Sequence, residues 1–203
     1  MSDPTHHPEP AHPIPVQWPR ITLAWLDGLV GGRAELLALR DEDPPPMFQA
    51  LADEAEGLAF DALADEVDRA AELLQDAEVA DALDRAMATF WFLRPAGLRV
   101  SGGDRSRDLA GGLVWVVGKA NGVFDARRRQ TDLQRALGLR RPLRGPGAGV
   151  ARVVGRARPV VAPRPAGAPD LMGFGRSSLL TPTTRRVVIA WRDRALEALE
   201  VPW

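Results

Sequence analysis

The chain has 203 residues, a formal net charge of −1 at pH 7 and no cysteine. It is long enough for one domain with a core, but it has no disulfide framework, thiolate metal site or cysteine nucleophile. Tyrosine is also absent, and all three histidines lie in the first twelve residues, so most common general bases and nucleophiles are missing. We therefore expect a protein that is not an enzyme and uses no cofactor or metal. No apolar run approaches about 18 residues and no secretory signal is visible, so we expect a cytoplasmic protein with no membrane partner.

The two signs of charge are separated along the chain. Residues 41–84 hold fifteen acidic side chains and one basic one, whereas residues 99–158 hold thirteen arginines and Lys119 against four aspartates. Two interpretations stay open: the acidic helices neutralise the basic segment within the fold, or the basic face meets a polyanion while the acidic face stays solvated or meets a basic partner. A third contribution is codon bias, because Lys119 is the only lysine beside 25 arginines, as expected of a GC-rich genome.

The first stretch in chain order is rich in proline. Residues 1–19 hold six prolines and predict a disordered Pro/His-rich tail, and residues 20–203 are expected to form a single helical domain. The first helix is predicted over about 20–29, and as far as 39 if the glycine pair that follows does not end it.

Residues 20–93 are predicted to carry the acidic N-terminal helices. Apolar side chains at helical spacing predict one helix over about 57–75 and another over about 78–93. The two apolar stripes are Leu63, Val67, Ala70 and Leu74, and Val79, Leu83, Met87 and Trp91. Asp61 and Asp65 on the opposite, acidic face have the spacing of a metal-binding pair. However, a segment with so many acidic side chains contains such pairs by chance. We expect a solvated acidic face.

Residues 94–155 are predicted to hold a central helix and a helix-turn-helix-like segment. The central helix is predicted over about 106–120 and is apolar on nearly every side, so other helices should surround it. Three glycines lower its helix propensity and indicate that neighbouring backbones approach closely. They are Gly111, Gly112 and Gly118. Asn121 and Gly122 are expected to cap its C-terminal end.

The next segment looks like the first helix and turn of a helix-turn-helix. Thr131 is predicted to cap a short helix that ends at Gly138, with Leu139 anchoring the turn. Its core-facing side chains are predicted to be Leu133, Ala136 and Leu137. Prolines and glycines occupy 140–147, where a recognition helix would begin, so the second helix is expected to start only within 145–148. Its inward side chains are expected to be Val150, Val153 and Val154.

The end of the chain predicts a Pro-rich connection over 156–180 and a C-terminal helix over 181–203. Thr181 as the N-cap and Pro182 in the first helical position mark where that helix begins. Its buried stripe is predicted to be Val188, Trp191, Ala195 and Leu199. Four arginines of this helix are expected to lie mostly on its solvent-facing side: Arg185, Arg186, Arg192 and Arg194.

Three stretches carry a resemblance: residues 98–102, which read Leu-Arg-Val-Ser-Gly, residues 109–121 and residues 131–139. Over about 90–200 the chain resembles an uncharacterised prokaryotic family of helical domains of unknown function, common in high-GC actinobacteria. The region is also similar to the later helices of the cyclin-like repeat of transcription initiation factor B. This resemblance implies an all-helical fold and DNA binding in transcription. The fold positions carried over are Thr131, Leu133, Gly138 and Leu139.

The whole sequence predicts an all-α, compact domain of about six to seven helices, cyclin-like and containing a helix-turn-helix. The first functional hypothesis is a nucleic-acid-binding domain with DNA or RNA as its partner, and the alternative is a protein-interaction or scaffold domain. For the first hypothesis the candidate phosphate contacts, by position and charge, are Arg127, Arg128, Arg129, Arg140, Arg141 and Arg144. Binding through them should weaken steeply as salt rises.

Overall fold

A computed structural model of the chain describes residues 18–42, 53–94, 103–125, 129–155 and 162–200. Within those ranges the chain forms eight α-helices, one short 3₁₀-helix and no strand, which confirms the predicted all-α class. In chain order the elements are α1 Trp18–Val30, α2 Arg33–Ala38, α3 Glu54–Leu74, α4 Ala77–Leu93, α5 Gly103–Ala120, α6 Gln130–Ala136, α7 Arg144–Val154, the 3₁₀-helix Ser177–Leu179 and α8 Pro182–Glu200. None of the described helices is long and apolar enough to cross a membrane.

The first helical region differs from the prediction at both ends. α1 begins at Trp18, inside the stretch predicted as a tail, and Pro19 lies in the first turn, where its missing N–H costs no helical hydrogen bond. The rest of the predicted tail lies outside the described residues. α1 ends because Gly31 and Gly32 take φ values of 110° and 130°, which favour glycine. The chain then forms the separate short helix α2, and the described residues thus contain eight α-helices where about six to seven were predicted.

Both acidic helices begin at an aspartate cap. Glu56 N donates to the Asp53 carboxylate at 2.8 Å, so α3 starts three residues earlier than predicted. Val79 N donates to the Asp76 carboxylate at 3.3 Å at the start of α4. Every side chain of the two predicted apolar stripes is buried. α3 and α4 contact each other, and both contact α5.

α5 is the central helix of the described residues, as predicted, because it contacts α3, α4 and α7. Its buried side chains include Leu113, Val114, Trp115, Val116 and Val117. The expected close approach is confirmed at Gly112, where a Cβ would lie 2.6 Å from Val150 Cγ2 and 3.0 Å from the carbonyl oxygen of Pro146. The α7 backbone therefore packs directly against α5.

Asn121 and Gly122 end α5 as predicted, with Gly122 at a φ of 64°. The Asn121 side chain also contacts residues far along the chain. Its Nδ2 donates to the carbonyl oxygens of Val117 and Leu179, both at 2.8 Å, and its Oδ1 accepts from Thr181 N at 2.7 Å. One amide side chain thus joins the end of α5 to the start of α8.

The start of α8 follows the sequence prediction. Thr184 N donates to Thr181 Oγ1 at 3.2 Å, and Pro182 takes the first helical position. Glu78 of α4 binds the same end of α8: its carboxylate accepts from Thr183 N at 2.9 Å and from the Thr183 hydroxyl at 3.0 Å. Because a helix N-terminus carries partial positive charge, the Glu78 carboxylate stabilises the contact between α4 and α8.

The Glu78→Gln substitution should make the free energy of unfolding change less as the pH is lowered into the acid range. The hydrogen bond from Thr183 N, followed by that from the Thr183 hydroxyl and the charge of Arg186, holds the pKa of Glu78 below its ordinary value of 4.5, against the opposing effect of burial. A lowered folded-state pKa stabilises the fold above pH 4.5, and this contribution disappears as pH falls through the folded-state pKa. We expect the variant to lose about 0.5 kcal/mol at pH 7, since solvent screens the carboxylate. Urea unfolding between pH 7 and pH ~3 checks this, and a difference from wild type that persists unchanged at low pH would contradict it.

Two of the four arginines that were predicted to lie on the solvent-facing side of α8 are instead largely buried. Arg185 is 2% exposed and donates to the carbonyl of Glu42. The Arg192 side chain is 11% exposed and donates to the carbonyl oxygens of Leu36 and Leu39, at 3.0 and 2.9 Å. The physical reason is that backbone carbonyls at and after the end of α2 need donors, and the long guanidinium groups supply them.

The predicted apolar stripe of α8 is only partly buried. Val188 and Ala195 are buried, whereas Leu199 is 44% exposed. Trp191 is half-buried, and its ring centroid lies 6.0 Å from that of Trp18 and 6.2 Å from that of Trp25. α8 therefore closes against α1 through an aromatic cluster.

Candidate nucleic-acid interface

α6 begins differently from the prediction. Arg129, not Thr131, is its N-cap, and the carbonyl oxygen of Arg129 accepts from Asp132 N at 3.1 Å. Thr131 lies exposed inside the first turn, and no side chain caps the helix. The prediction for Thr131 was therefore wrong, because α6 starts one residue before it.

The turn after α6 agrees with the sequence. Gly138 takes a φ of 66°, and Leu139 N donates to the carbonyl oxygen of Gln134 at 3.0 Å, the hydrogen bond of a glycine-ended helix. Leu133 and Leu137 are buried and Leu139 is 8% exposed. Ala136, by contrast, was predicted to face the core and is exposed.

α7 follows after a connection over residues 137–143, longer than the turn of about three or four residues that a standard helix-turn-helix has. It begins at Arg144, one residue before the predicted range. Its buried side is formed by Gly147, Val150 and Val154, while Val153 is half-buried. The helix therefore packs into α5 with one face and leaves the other face exposed.

Four of the six arginines predicted as phosphate contacts lie among the described residues. Arg127 and Arg128 lie outside them. The four are all exposed, and none has an ion pair with a described residue: Arg129, Arg140, Arg141 and Arg144. We call these four arginines, which are exposed and close to one another in the sequence, the basic surface.

Other cations of the basic segment do have partners. Arg135 pairs with Asp132 at 3.1 Å within α6, and Arg107 pairs with Glu66 of α3 at 3.3 Å. Neutralisation by the acidic helices, the first of the two interpretations of the charge pattern, therefore holds for Arg107 but not for the basic surface, as far as the described residues extend.

The acidic helices present a surface of their own. Beyond Glu54 in the first turn of α3, six of their carboxylates are exposed and have no ion pair within the described part of the chain: Asp61, Asp65, Asp68 and Glu72 on α3, and Asp81 and Asp84 on α4. We call these six the acidic surface. A groove between α3 and α4 is lined by Asp68 and Glu72 of this surface together with Ala71, Ala77 and Ala80. No group of three or more potential ligands in the described ranges is arranged to hold a metal ion.

Replacing Asp84 by asparagine should stabilise the fold at neutral pH. Partial desolvation, then the charges of Asp68 and Asp81, raise the pKa of Asp84 above its ordinary value of 3.8, with Arg85 opposing them. A carboxyl with a raised folded-state pKa is destabilising when ionised, so its removal should increase the free energy of unfolding at pH 7.

The gain from Asp84→Asn should disappear as pH falls through 3.8, because the carboxyl then becomes protonated in the unfolded state as well as in the folded state. Thermal unfolding at pH 7 and at pH ~3 measures it. Asp61→Asn, which removes the same charge from another exposed side chain of the acidic surface, is the control. A loss of stability for Asp84→Asn at pH 7 would contradict the account.

Comparison with known proteins gives no relative: the chain matches no protein-family model, no curated protein and no solved structure. The resemblances to the uncharacterised helical family and to the cyclin-like repeat therefore stay predictions.

Proposed function

We propose that this protein binds nucleic acid through the basic surface. The observation that carries the proposal is that Arg129, Arg140, Arg141 and Arg144 are exposed and make no ion pair with a described carboxylate, although the chain as a whole has nearly balanced charge. All four lie within residues 129–144, beside the helix-turn-helix-like turn at Gly138.

The chemistry of the guanidinium group supports a phosphate ligand. Arginine presents planar donors that match phosphate oxygens in pairs, and it stays charged at any physiological pH. An arginine that already pairs with a carboxylate must lose that pair before it binds phosphate, whereas the arginines of the basic surface do not. Contact with a phosphate backbone also releases counterions, which favours binding at low salt.

A salt titration tests the proposal. Fluorescence anisotropy of a labelled random-sequence DNA duplex, with a single-stranded RNA in parallel, would be measured from about 50 to about 200 mM salt. We expect binding at the low end that weakens steeply as salt rises. Absence of binding to both ligands at the lowest salt would overturn the proposal.

A protein-interaction function is the second candidate, and the acidic surface favours it. Six carboxylates without an ion pair in the described ranges would attract a basic protein partner through charge complementarity. The same titration separates the two candidate functions. If the chain binds neither nucleic acid, protein interaction remains as the proposed function. Asn substitutions at Asp61, Asp65 and Asp68 should then weaken the binding of an arginine-rich model peptide, while leaving any nucleic-acid binding intact.

A further inference from the structure

The outer face of α7 is built almost entirely from two arginines and very small residues. Arg144, Gly145, Ala148 and Arg152 are exposed and Gly149 is half-buried. The opposite face of the helix is fixed in the core by contacts with α5. The two arginines therefore lie at the two ends of a smooth helical face whose orientation is held by packing.

The spacing of these arginines matches a dimension of B-form DNA. Arg144 and Arg152 are separated by eight residues, so their Cα atoms lie about 12 Å apart along the helix axis. The major groove of B-form DNA is about 12 Å wide, which allows one arginine to reach a phosphate on each strand. In A-form RNA the major groove is deep and narrow, so the same spacing does not fit it.

The residues in the middle of this face have no side chain that could read a base. Sequence is read by side chains that donate to, or accept from, base edges within a groove. Gly145, Ala148 and Gly149 carry no such side chain. Arg152 Nε donates to the carbonyl oxygen of Ala148 at 3.2 Å, which holds that side chain along the helix and leaves its remaining donors for a phosphate.

We infer that α7 lies across the major groove of B-form duplex DNA and holds phosphates of both strands without reading the base sequence. The inference rests on the proposed nucleic-acid function and narrows it to one class of ligand. It assigns a role to Arg152, which is not part of the basic surface. It also assigns a role to Gly145, Ala148 and Gly149, since small side chains let the helix backbone approach the groove closely.

Ligand comparison is the first test, with the full chain and four kinds of probe. These are labelled DNA duplexes of three unrelated sequences, a duplex RNA, and single-stranded DNA and RNA. The Kd values for the three DNA duplexes should agree within about threefold, since a base-reading contact would separate them by about tenfold or more. Duplex RNA should bind at least about fivefold more weakly.

Each outcome separates this inference from the proposed function. Differences above about threefold among the DNA duplexes, or RNA or single strands that bind less than about fivefold more weakly than duplex DNA, would overturn the inference and leave nucleic-acid binding in place. If no probe binds at low salt, the proposed function fails and this inference fails with it.

A pair of double variants tests the two arginines directly. Arg144→Gln with Arg152→Gln removes both ends of the face, and Arg33→Gln with Arg164→Gln removes the same charge from two exposed arginines that pair with Asp27 and Asp170. The first pair should reduce the slope of log Kd against log salt by about 1.8, and the second should leave it unchanged. Equal slopes in the two variants would overturn the inference. Circular dichroism would confirm that both remain helical.

Discussion

Replacing Gly147 by alanine is expected to lower the free energy of unfolding by about 1–3 kcal/mol. A Cβ at this position would lie 2.5, 2.6 and 2.8 Å from Cε3, Cδ2 and Cγ of Trp115. Trp115 cannot move away easily, because it is 7% exposed and its indole ring contacts Phe174 edge to face, with centroids 6.0 Å apart. The added methyl group would therefore push α7 away from α5.

Gly149 provides a matched control two residues along the same helix. No atom lies within 4 Å of the position that its Cβ would take. Gly149→Ala should therefore raise the free energy of unfolding by up to about 1 kcal/mol, because alanine has the higher helix propensity. Urea unfolding of the two variants measures both effects. A stabilising effect of Gly147→Ala equal to that of Gly149→Ala would show that the α5–α7 contact is not as close as described.

Asn121→Ala is expected to lower the free energy of unfolding by about 3 kcal/mol. The substitution removes the donor to the carbonyl oxygens of Val117 and Leu179 and the acceptor for Thr181 N. Thr181 is 4% exposed, so its N–H would be left buried without a partner, which is more costly than the loss of an exposed hydrogen bond.

Gln134→Ala is the control for this second prediction. The Gln134 side chain makes one long hydrogen bond, from its Nε2 to the carbonyl oxygen of Leu139 at 3.4 Å. Its loss should cost about 0.5–1 kcal/mol. Thermal and urea unfolding of both variants gives the comparison. If Asn121→Ala costs no more than Gln134→Ala, Asn121 acts only as a local cap and does not hold α5 to α8.

The helices that could be predicted from the sequence are those whose signals are local. The apolar stripe of α3, the Asn121-Gly122 end of α5, and the Thr181-Pro182 start of α8 each depend on residues within a few turns of one another. Helical periodicity and capping act over this range, so no knowledge of tertiary contacts was needed.

Two features of the fold were missed because distant residues decide them, whereas the errors at Thr131 and Ala136 are local to α6. Arg185 lies on a face that periodicity marks as outer, yet the carbonyl of Glu42 lies within its reach, and the side chain is buried. Asn121 was predicted as a cap, but its contacts with Leu179 and Thr181 depend on the path of the chain nearly sixty residues later. A hydrogen bond between segments far apart in sequence leaves no periodic signal.

The candidate site shows the same division. The sequence located the arginines by position and charge, but whether acidic helices would neutralise them could not be decided from composition. In the fold, neutralisation differs from one arginine to another. Glu66 of α3 pairs with Arg107, whereas the basic surface has no ion pair within the described ranges. The role inferred for Arg152 was missed, because it depends on which side of α7 packs against α5.

The most direct test of nucleic-acid binding by the basic surface is the salt slope of a triple variant. Arg140→Gln, Arg141→Gln and Arg144→Gln would be combined, with Arg33→Gln, Arg164→Gln and Arg194→Gln as a control of equal charge. If the basic surface holds phosphates, the slope of log Kd against log salt for duplex DNA falls by about 2.7 in the first variant and is unchanged in the control. If the two variants show the same slope, the basic surface does not bind the nucleic acid.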